Sequence, residues 1–284
     1  MMNPVEILDF FYNNTMELNK IYNEDCLEFI PKMDNASIDL VMTSPPYNTS
    51  RKSAGERAMK NHEVRYVTDT YMDDRTPEEY IQWCVDIFNA LEPKLKPNGI
   101  IAWNVSYSSD ATQGADSMDV EWLTIADIIR NTPFSVCEHI TWKKKSSIPN
   151  NVSPNKLDRI CEDVFIFCRK SEVKTYHANK KVVSTMPSGQ KVYKPIRNYI
   201  EAPNNNGVSE LNKATYSIEL CTEIFKIYAP KGGVVYDPFM GSGTTAVAAI
   251  ENNLKYLGTE ISSAQVDGAN KRIKGYRGNS LWFK

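Results

Sequence analysis

Short apolar runs alternate with amphipathic segments along most of the chain. Continuous apolar runs predict buried strands at 37–42 (SIDLVM), 99–105 (GIIAWNV) and 163–168 (DVFIFC). Helices are predicted at 120–129 and directly after Thr76, where Thr-Pro-Glu-Glu forms a capping box with proline at the first helical position. The apolar side of this last helix contains Tyr80, Ile81, Cys84, Val85, Phe88 and Leu91.

The same alternation continues toward the carboxyl end of the chain. Strands are predicted at 135–142 (SVCEHITW), 234–237 (VVYD) and 255–261 (KYLGTEI). Helices are predicted at 218–229 and 244–253. Strands that alternate with helices predict an α/β fold with a doubly wound, mainly parallel sheet.

One segment, from about 170 to 213, breaks this rhythm. It is polar, contains the turns PNNNG and MPSG, and has only short strand-like pieces such as KVVSTM. We therefore predict a main domain formed by 1–170 and 211–284, with 171–210 as a small insertion at the rim of the sheet.

The composition is that of a globular protein. Hydrophobic residues make up 42% of the chain and charged residues 24%, which is ordinary for this class, and no apolar run approaches the ~20 residues of a membrane helix. The first residues (MMNPVEILDFFYNN) lack the basic start and the cleavage site of a secretory signal. The six cysteines form no CxxC pair and only three histidines are present. We expect a cytoplasmic protein with reduced thiols and no metal site.

The net charge of −2 hides two basic segments. Residues 143–197 contain 13 Lys/Arg and 4 Asp/Glu, a local +9, and residues 48–66 contain 5 basic and 2 acidic residues, a local +3. Two basic segments on an otherwise acidic chain suggest a local contact with a polyanion, although a lysine-rich stretch is as often a solvated face. The basic residues assigned to this contact are Arg51, Lys52, Lys143, Lys144, Lys145, Lys180 and Lys181.

A glycine-containing loop stands between a predicted strand and a predicted helix at 237–246 (DPFMGSGTTA). Gly241, Gly243 and Ala246 fit the pattern G-x-G-x-x-A, in which backbone amides approach a ligand closely. No lysine follows the glycines, which disfavours a loop that cradles the phosphates of a nucleoside triphosphate. The next strand ends at Glu260, where open α/β sheets place an acid on the hydroxyls of a ribose. These residues favour a nucleoside-containing cofactor and leave NAD and S-adenosylmethionine open.

The segment 43–47 (TSPPY) directly follows an apolar strand, and its residue types suit a nucleobase with an exocyclic amine. That amine is a poor nucleophile because its lone pair is delocalised into the ring. Ser44 and the Pro45 carbonyl offer two acceptors for its N–H groups, which localises the lone pair, and the prolines stiffen the backbone. Tyr47 offers a stacking face for a base extruded from the duplex. Taken alone, the segment is more often a proline-capped strand end with a packing tyrosine.

TSPPY followed much later by 237–245 (DPFMGSGTT) resembles the permuted β group of DNA amino-methyltransferases, in which the catalytic motif precedes the cofactor loop. The resemblance covers nearly the whole chain. Residues 23–26 (NEDC) are similar to the family's G-D-C segment and 95–105 (LKPNGIIAWNV) to its LKPGG-plus-strand element. Residues 142–143 and 162–164 resemble landmarks of its later strands. The order of the motifs argues against glutamine or ribosomal-RNA methyltransferases, in which the cofactor loop normally comes first.

The resemblance implies a Rossmann-like methyltransferase fold with S-adenosylmethionine as cofactor and with 171–210 as the target-recognition region. It places the flipped base, and thus catalysis, at Ser44, Pro45, Pro46 and Tyr47. It places the cofactor at Asp25, Thr43, Asp237, Pro238, Phe239, Gly241, Ser242, Gly243, Thr244, Thr245 and Glu260.

Two positions depart from the family's pattern. Residues 212–220 (NKATYSIEL) lack the histidine and both prolines of the usual H-P-A-T-F-P-x-x-L, so no cofactor contact is carried over to 215–217. The first glycine of G-D-C is replaced by Asn23 or Glu24, depending on the alignment.

The expected reaction is methyl transfer from S-adenosylmethionine to an exocyclic amine in double-stranded DNA. The S-P-P-Y form is the one that the family usually associates with cytosine N4, and adenine N6 is the alternative. No covalent adduct with the base is expected, because attack on a ring carbon needs a cysteine nucleophile, typically beside proline, and the sequence has no Pro-Cys dipeptide.

Two other classes of function explain less of the sequence. An NAD-dependent oxidoreductase would leave TSPPY and the basic segments unused, and a non-catalytic DNA-binding module would leave the glycine loop unused. In the methyltransferase interpretation, 48–66 closes over the DNA and PNNNG lies near the target sequence. A cognate restriction endonuclease and a second copy of the chain are further candidate partners, and no membrane partner is expected.

Overall fold

The computed structural model describes residues 16–48, 75–106, 119–146, 154, 157–204 and 216–279. The β-strands in these ranges are β1 (Lys20–Tyr22), β2 (Ile38–Thr43), β3 (Leu95–Val105), β4 (Phe134–Lys144), β5 (Cys161–Arg169), β6 (Val182–Thr185), β7 (Lys191–Tyr193), β8 (Tyr199–Ala202), β9 (Val234–Asp237) and β10 (Lys255–Thr259). The α-helices are α1 (Cys26–Phe29), α2 (Pro77–Leu91), α3 (Asp119–Asn131), α4 (Ile218–Tyr228), α5 (Thr244–Glu251) and α6 (Ser263–Asn279). Apart from Asn48, the predicted DNA-closing loop (48–66), with Arg51 and Lys52, lies outside the described residues.

Eight strands form one sheet in the order β1-β10-β9-β2-β3-β5-β4-β8. β5 is antiparallel to its neighbours β3 and β4, and the remaining neighbouring pairs are parallel. β6 and β7 form a separate antiparallel pair. The prediction of a doubly wound, mainly parallel sheet is confirmed.

The middle of the sheet contains the point at which the order of its strands reverses. β2 and β9 lie side by side, with Leu40 opposite Val235 and Val41 opposite Tyr236. The chain continues from β2 to β3 on one side and from β9 to β10 on the other. The connections leave in opposite directions, so a crevice opens beyond the carboxyl ends of β2 and β9. TSPPY and the glycine loop both start there, and the topology therefore brings the two motifs together.

Helices cover both faces of the sheet and hold its central strands from two sides. In β3, Ile100 and Ala102 pack with α4, α5 and α6 into one core, whereas Ile101 and Trp103 pack with α2 and α3 into the other. Each side chain of this size contributes ~1.5–3 kcal/mol when it is fully buried. The strand ends that form the crevice are therefore built on a rigid base.

The strands and helices predicted from apolar patterns are confirmed, with bounds shifted by a few residues. The capping box of α2 is complete: Glu79 N donates to Thr76 Oγ1 at 3.3 Å, and Thr76 N donates to Glu79 Oε2 at 3.0 Å. Ile81, predicted to face the core, is half-buried, and Ile87 is buried instead.

The elements that were not predicted from the sequence are polar or short. α6 is a largely polar helix. Its buried apolar residues, Val266, Ala269 and Ile273, are spaced three and four residues apart, as on one face of a helix. β8 pairs with β4, with Thr141 opposite Tyr199, so the segment predicted as an insertion also supplies an edge strand of the central sheet. The division at 171–210 stays a prediction. None of the helices in the described ranges is long and apolar enough to cross a lipid bilayer.

Candidate active site

Asp237, at the carboxyl end of β9, is hydrogen-bonded to residues of both motifs. Its Oδ1 accepts hydrogen bonds from Thr43 Oγ1 at 2.6 Å and from Phe239 N at 3.0 Å. Its Oδ2 accepts from Tyr216 OH at 2.9 Å and from Thr245 Oγ1. Burial raises the pKa of Asp237, and these hydrogen bonds oppose the shift. Four donors fill the acceptor capacity of a carboxylate, so Asp237 holds the strand ends and the glycine loop in place.

Tyr216 and Ser217 belong to the segment that departs from the family's pattern. Tyr216 is buried, and its hydroxyl contacts Asp237 and Thr245. Ser217 caps α4 by accepting a hydrogen bond from Leu220 N at 3.1 Å. Both side chains thus make hydrogen bonds inside the protein. Residues 212–215 lie outside the described ranges.

The glycine loop needs glycine at two positions. Gly241 has φ +50° and Gly243 has φ +80°, both in the left-handed region that glycine adopts without steric cost. Gly243 is the N-cap of α5, and a Cβ atom there would lie 3.0 Å from Ala269 Cβ of α6. The loop therefore combines an unusual backbone with a close approach of α6.

Arg272 of α6 braces the loop, and the sequence did not point to it. Its Nη1 donates to Ser242 O at 3.1 Å, to Ser242 Oγ at 3.3 Å and to Thr244 Oγ1 at 3.1 Å. Burial lowers the pKa of its guanidinium group. The only signal in the sequence is its position one residue before the buried Ile273, in a helix that itself was not predicted.

Glu260 lies beyond the end of β10, next to the glycine loop, and only 8% of it is exposed. Its Oε2 accepts from Gly241 N and its Oε1 from Ser262 N, both at 2.9 Å. Burial raises the pKa of Glu260, and hydrogen bonds from the backbone oppose the shift. One amide on each oxygen leaves each oxygen a further lone pair. Glu260 therefore keeps the capacity to accept two hydroxyl groups, as the ribose prediction requires.

Asp25 and Asn23 lie at the end of the neighbouring strand β1. Asp25 is the N-cap of α1 and accepts from Leu27 N at 2.8 Å. Asn23 Nδ2 donates to Glu260 O and to Ile261 O, both at 2.9 Å. Asn23, one of the two residues that can stand in place of the family's glycine, thus ties the end of β1 to the segment that contains Glu260.

The TSPPY motif is part of a polar network at the carboxyl edge of the sheet. Ser44 Oγ and Tyr47 OH lie 2.6 Å apart. Tyr47 OH donates to Asn104 Oδ1 at 3.1 Å and lies 3.4 Å from Glu162 Oε2. Glu162, 7% exposed, forms an ion pair with Lys144. No role was predicted for Asn104, and a polar residue inside the apolar run IIAWNV was the signal that could have identified it.

The lysines predicted to contact DNA differ in their surroundings. The side chain of Lys144 is 19% exposed and lies against Glu162, whereas Lys143 forms an exposed ion pair with Glu201 at 3.3 Å. Lys145, Lys180 and Lys181 are exposed. Because β4 runs parallel to β3 and β2, Lys143 to Lys145 follow the sheet toward the edge where Ser44 lies. Their role in DNA binding stays a prediction.

Asn48 and Arg75, which flank residues 49–74, are hydrogen-bonded to each other close to both motifs. Asn48 Nδ2 donates to Arg75 O at 2.7 Å, and Arg75 N donates to Asn48 Oδ1 at 2.9 Å. The Arg75 guanidinium lies 4.4 Å from the ring centre of Trp83, whose ring is 5.2 Å from that of Phe239. These contacts connect the two residues that flank 49–74 to Phe239 of the glycine loop.

A small recess, partly open to solvent, lies against Tyr47. Besides Glu121, its walls are formed by Tyr47, Tyr80, Val105, Ser106, Val120 and Thr124. Glu121 of α3 is 8% exposed, and both of its carboxyl oxygens are shielded from solvent. Burial raises the pKa of Glu121 to about 8, together with the charge of Asp163, a side-chain hydrogen bond to Asp163 and the charge of Glu162.

The sequence contained a signal for Glu121 that the prediction of a helix at 120–129 did not use. Glu121, Thr124, Ile125 and Ile128 are spaced at three, four and seven residues, so they share one side of α3. All four are buried. An acid on the apolar side of a helix requires a partner, and the side chain of Asp163 interacts with Glu121.

Comparisons with known proteins cover most of the chain. The family model N6_N4_Mtase, described as "DNA methylase", matches residues 38–271. The chain is 26% identical over 275 residues to the type II methyltransferase M.BglII of Bacillus subtilis, covering 91% of this chain and 69% of that protein.

Solved structures with the same fold include the cytosine-N4-specific PvuII DNA methyltransferase. That structure has a TM-score of 0.67 and 20% identity, over 90% of this chain and 86% of that one. The M1.HpyAVI–SAM complex has a TM-score of 0.53 and 22% identity, over 89% of this chain and 98% of that one. At these identities the likeness concerns the fold, and it agrees with the strand order described above.

Proposed function

This chain belongs to the N6/N4 DNA methylase family, and from that premise we propose that it methylates the exocyclic amine of a base flipped out of double-stranded DNA, with cytosine N4 as the preferred target. S-adenosylmethionine is the methyl donor. The observation that carries the proposal is the contact between Ser44 and Tyr47 at the edge of the crevice.

The residues at the ends of β9 and β10 suit a nucleoside-containing cofactor. Gly241 and Gly243 place the loop backbone in left-handed conformations, which lets it approach a ligand without side chains between them. Glu260 keeps a lone pair on each oxygen for the ribose hydroxyls. When bound, S-adenosylmethionine supplies a methyl group on a positively charged sulfur, open to attack by a nucleophilic nitrogen.

The hydrogen-bond directions around Tyr47 leave Ser44 as an acceptor. Asn104 Nδ2 donates to Asp163 O at 3.1 Å, which leaves Asn104 Oδ1 as the acceptor for Tyr47 OH. The single hydroxyl hydrogen of Tyr47 is then used, so Ser44 donates its own hydrogen to Tyr47. Ser44 Oγ retains its lone pairs.

In the proposed reaction, Ser44 Oγ and the Pro45 carbonyl accept the two N–H groups of the amine. Accepting both hydrogens favours a tetrahedral nitrogen whose lone pair points at the methyl group, and Tyr47 stacks on the base. The amine nitrogen would take the methyl group of bound S-adenosylmethionine, with S-adenosylhomocysteine as the leaving group, and the methylated amine would release its extra proton to water. Fixed orientation and placed acceptors supply the rate enhancement, since no covalent enzyme–base bond is needed.

The choice of cytosine over adenine rests on the S-P-P-Y form of the motif. The DNA face is proposed to include Lys143, Lys145, Lys180 and Lys181 together with Arg51 and Lys52, with Lys144 engaged by Glu162. Residues 171–210 are proposed to read the target sequence.

The test is methyl transfer by the purified chain from S-adenosylmethionine, labelled with tritium on the methyl group, to genomic DNA, followed by digestion and mass spectrometry of the nucleosides. N4-methylcytosine is expected, and N6-methyladenine would move the target to adenine. Absence of any methylated base would refute the proposal. Nicotinamide cofactor co-purifying with such an inactive chain would support the oxidoreductase alternative. The Ser44→Ala variant is the matched control, since it removes the acceptor and spares the cofactor loop.

A further inference from the structure

Asn48, the residue directly after TSPPY, combines an unusual backbone with deep burial. Its φ is +54°, in the left-handed region, and only 4% of it is exposed. Residues other than glycine seldom adopt this conformation, and those that do concentrate where a functional site needs a fixed backbone. We propose that Asn48 is a positioning residue, which fixes Tyr47 for stacking on the target base. This inference rests on the proposed function and adds to it a residue that acts through Tyr47.

The amide group of Asn48 engages both polar groups of the Arg75 main chain. Nδ2 donates to Arg75 O at 2.7 Å, and Oδ1 accepts from Arg75 N at 2.9 Å. Paired residues of an antiparallel sheet exchange two hydrogen bonds in the same way. Because the two bonds act together, they fix both the distance and the direction of the segments that they join.

Arg75 belongs to a firmly held part of the chain. It directly precedes Thr76, the N-cap of α2, whose capping box is complete. Ile87 and Phe88 of α2 are fully buried in the core. The hydrogen bonds of Asn48 therefore tie the end of TSPPY to a helix that is anchored in the core.

Tyr47 is thereby held at both of its ends. Its hydroxyl oxygen lies 2.6 Å from Ser44 Oγ and 3.1 Å from Asn104 Oδ1, which fixes the far end of the ring. The hydrogen bonds of Asn48 fix the backbone from which the ring starts. With both ends fixed, the ring does not tilt, so a base stacked on it keeps one orientation.

The experiment removes the amide group while keeping the backbone conformation. Asn48→Gly introduces a residue that adopts left-handed conformations freely, and it loses both hydrogen bonds to Arg75. Asn98→Gly is the matched control, since Asn98 also has a positive φ (+61°) but lies exposed in β3. Glu78→Gln, at an exposed position of α2, controls for a change in the helix.

Single-turnover methyl transfer is measured on a duplex that contains the methylated site, together with cofactor affinity and thermal unfolding. Asn48→Gly is expected to slow methyl transfer about 10- to 100-fold, since a displacement of ~1 Å at a reacting group has an effect of this size. Its affinity for S-adenosylmethionine is expected to stay within about twofold, because the hydrogen bonds of Asp237 and Glu260 remain. Asn98→Gly and Glu78→Gln are expected to react at the unmodified rate.

A double substitution shows whether Asn48 acts through Tyr47. Tyr47→Ala removes the ring, so no stacking face is left to position. Adding Asn48→Gly to Tyr47→Ala is therefore expected to slow methyl transfer by less than about a further twofold. Two residues that act independently would instead multiply their losses.

The assignment is overturned by an unmodified rate in Asn48→Gly, or by an equally large further loss when this change is added to Tyr47→Ala. A loss that merely follows the fraction of unfolded protein in Asn48→Gly would also overturn it, since the role would then be structural alone. A chain that methylates no DNA refutes the proposed function and this inference with it. A methylating chain with an unaffected Asn48→Gly variant refutes the role of Asn48 alone.

Discussion

Ser44 Oγ lies 2.6 Å from Tyr47 OH, so the hydroxyl group of the tyrosine orients the serine that precedes it by three residues. Asn104 Oδ1 and Glu162 Oε2 both accept from Tyr47 OH, and in the proposed arrangement this leaves Ser44 to donate its hydrogen to the tyrosine. In the proposed reaction, Tyr47 therefore has two separable functions: its ring stacks on the base and its hydroxyl group orients Ser44.

Removing only the hydroxyl group should separate these functions. Tyr47→Phe keeps the stacking face but frees the Ser44 hydrogen, which can then turn toward the amine. We expect kcat to fall about 2- to 10-fold, the value of one neutral hydrogen bond, with little change in base capture. Ser44→Ala should cost more, ~10²-fold in kcat, because it removes a group at the reacting nitrogen.

Single-turnover methyl transfer on a fixed duplex provides the measurement for both variants. Tyr193→Phe, an exposed tyrosine of β7, controls for removal of a hydroxyl group in general. Wild-type rates in both Tyr47→Phe and Ser44→Ala would mean that TSPPY merely caps a strand.

Glu260 should determine cofactor affinity. Glu260→Ala removes the acceptor for Gly241 N and for the proposed ribose hydroxyls. Hydrogen bonds to a charged acceptor are worth ~1.5–3 kcal/mol, so S-adenosylmethionine should bind roughly ten- to a hundredfold more weakly in calorimetry. Glu78→Gln should leave the affinity unchanged. Equal affinity in Glu260→Ala and the unmodified protein would remove Glu260 from the cofactor site.

Arg272 should stabilise the glycine loop rather than contact the ligand. Arg272→Met keeps most of the length of the side chain but removes the hydrogen bonds to Ser242 and Thr244. We expect the free energy of unfolding to fall by ~1–3 kcal/mol, together with weaker cofactor binding. Lys271→Met, at the adjacent exposed position, is the control. A variant with unchanged urea midpoint and affinity would contradict the bracing role.

The positions of both motifs followed from the sequence because strand order and apolar patterns determine them. Val234–Asp237 is an apolar run that ends in an aspartate and a turn, so both its type and its end are readable. The same holds for β2 and TSPPY. Two motifs at the ends of parallel strands must meet at one edge of a sheet, whatever the loops do.

The partners of the site residues were not readable, because they come from distant parts of the chain. Asn104 and Glu162 lie in strands whose apolar patterns predict core. They reach Tyr47 through the pairing of β3 with β2 and with β5. Arg272 belongs to a polar helix without a strong apolar face. Hydrogen bonds across such separations leave no periodic pattern in a single sequence.

Glu121 should make the stability of the fold depend on pH. The folded pKa, about 8, is above the ordinary value of 4.5. Below pH 4.5 the group is neutral in both the folded and the unfolded state, so its ionisation does not change the free energy of unfolding. As pH rises toward 8, the unfolded state ionises first, and unfolding becomes easier by up to ~1.4 kcal/mol per pH unit. Above about pH 8 this destabilisation should level off.

Glu121→Gln should remove this contribution. The difference in unfolding free energy between Glu121→Gln and the unmodified protein should grow from about pH 5 to about pH 8 in urea titrations. A constant difference over that range would mean that Glu121 ionises normally in the folded protein.

The exposed lysines of the inserted region provide the test of the DNA face. Lys180 and Lys181 precede β6 at exposed positions, in a segment rich in positive charge. Loss of one lysine–phosphate contact should flatten the slope of log affinity against log salt concentration by ~0.9. Replacing both by alanine should therefore flatten it by ~1.8 and weaken binding to all sequences alike. Lys255→Ala, exposed at the amino end of β10 toward the opposite edge of the sheet, should leave the slope unchanged.

Lys144 should respond differently from these lysines. Its ammonium group pairs with Glu162, which lies 3.4 Å from Tyr47 OH. Lys144→Met would leave a buried carboxylate without its ion-pair partner, so we expect slower methyl transfer and lower stability with a nearly unchanged salt slope. A salt slope flattened by ~0.9 in Lys144→Met would instead place this lysine on a phosphate group. An unchanged slope in Lys180→Ala/Lys181→Ala as well would mean that the charges of 171–210 are a solvated surface and that the DNA face lies elsewhere.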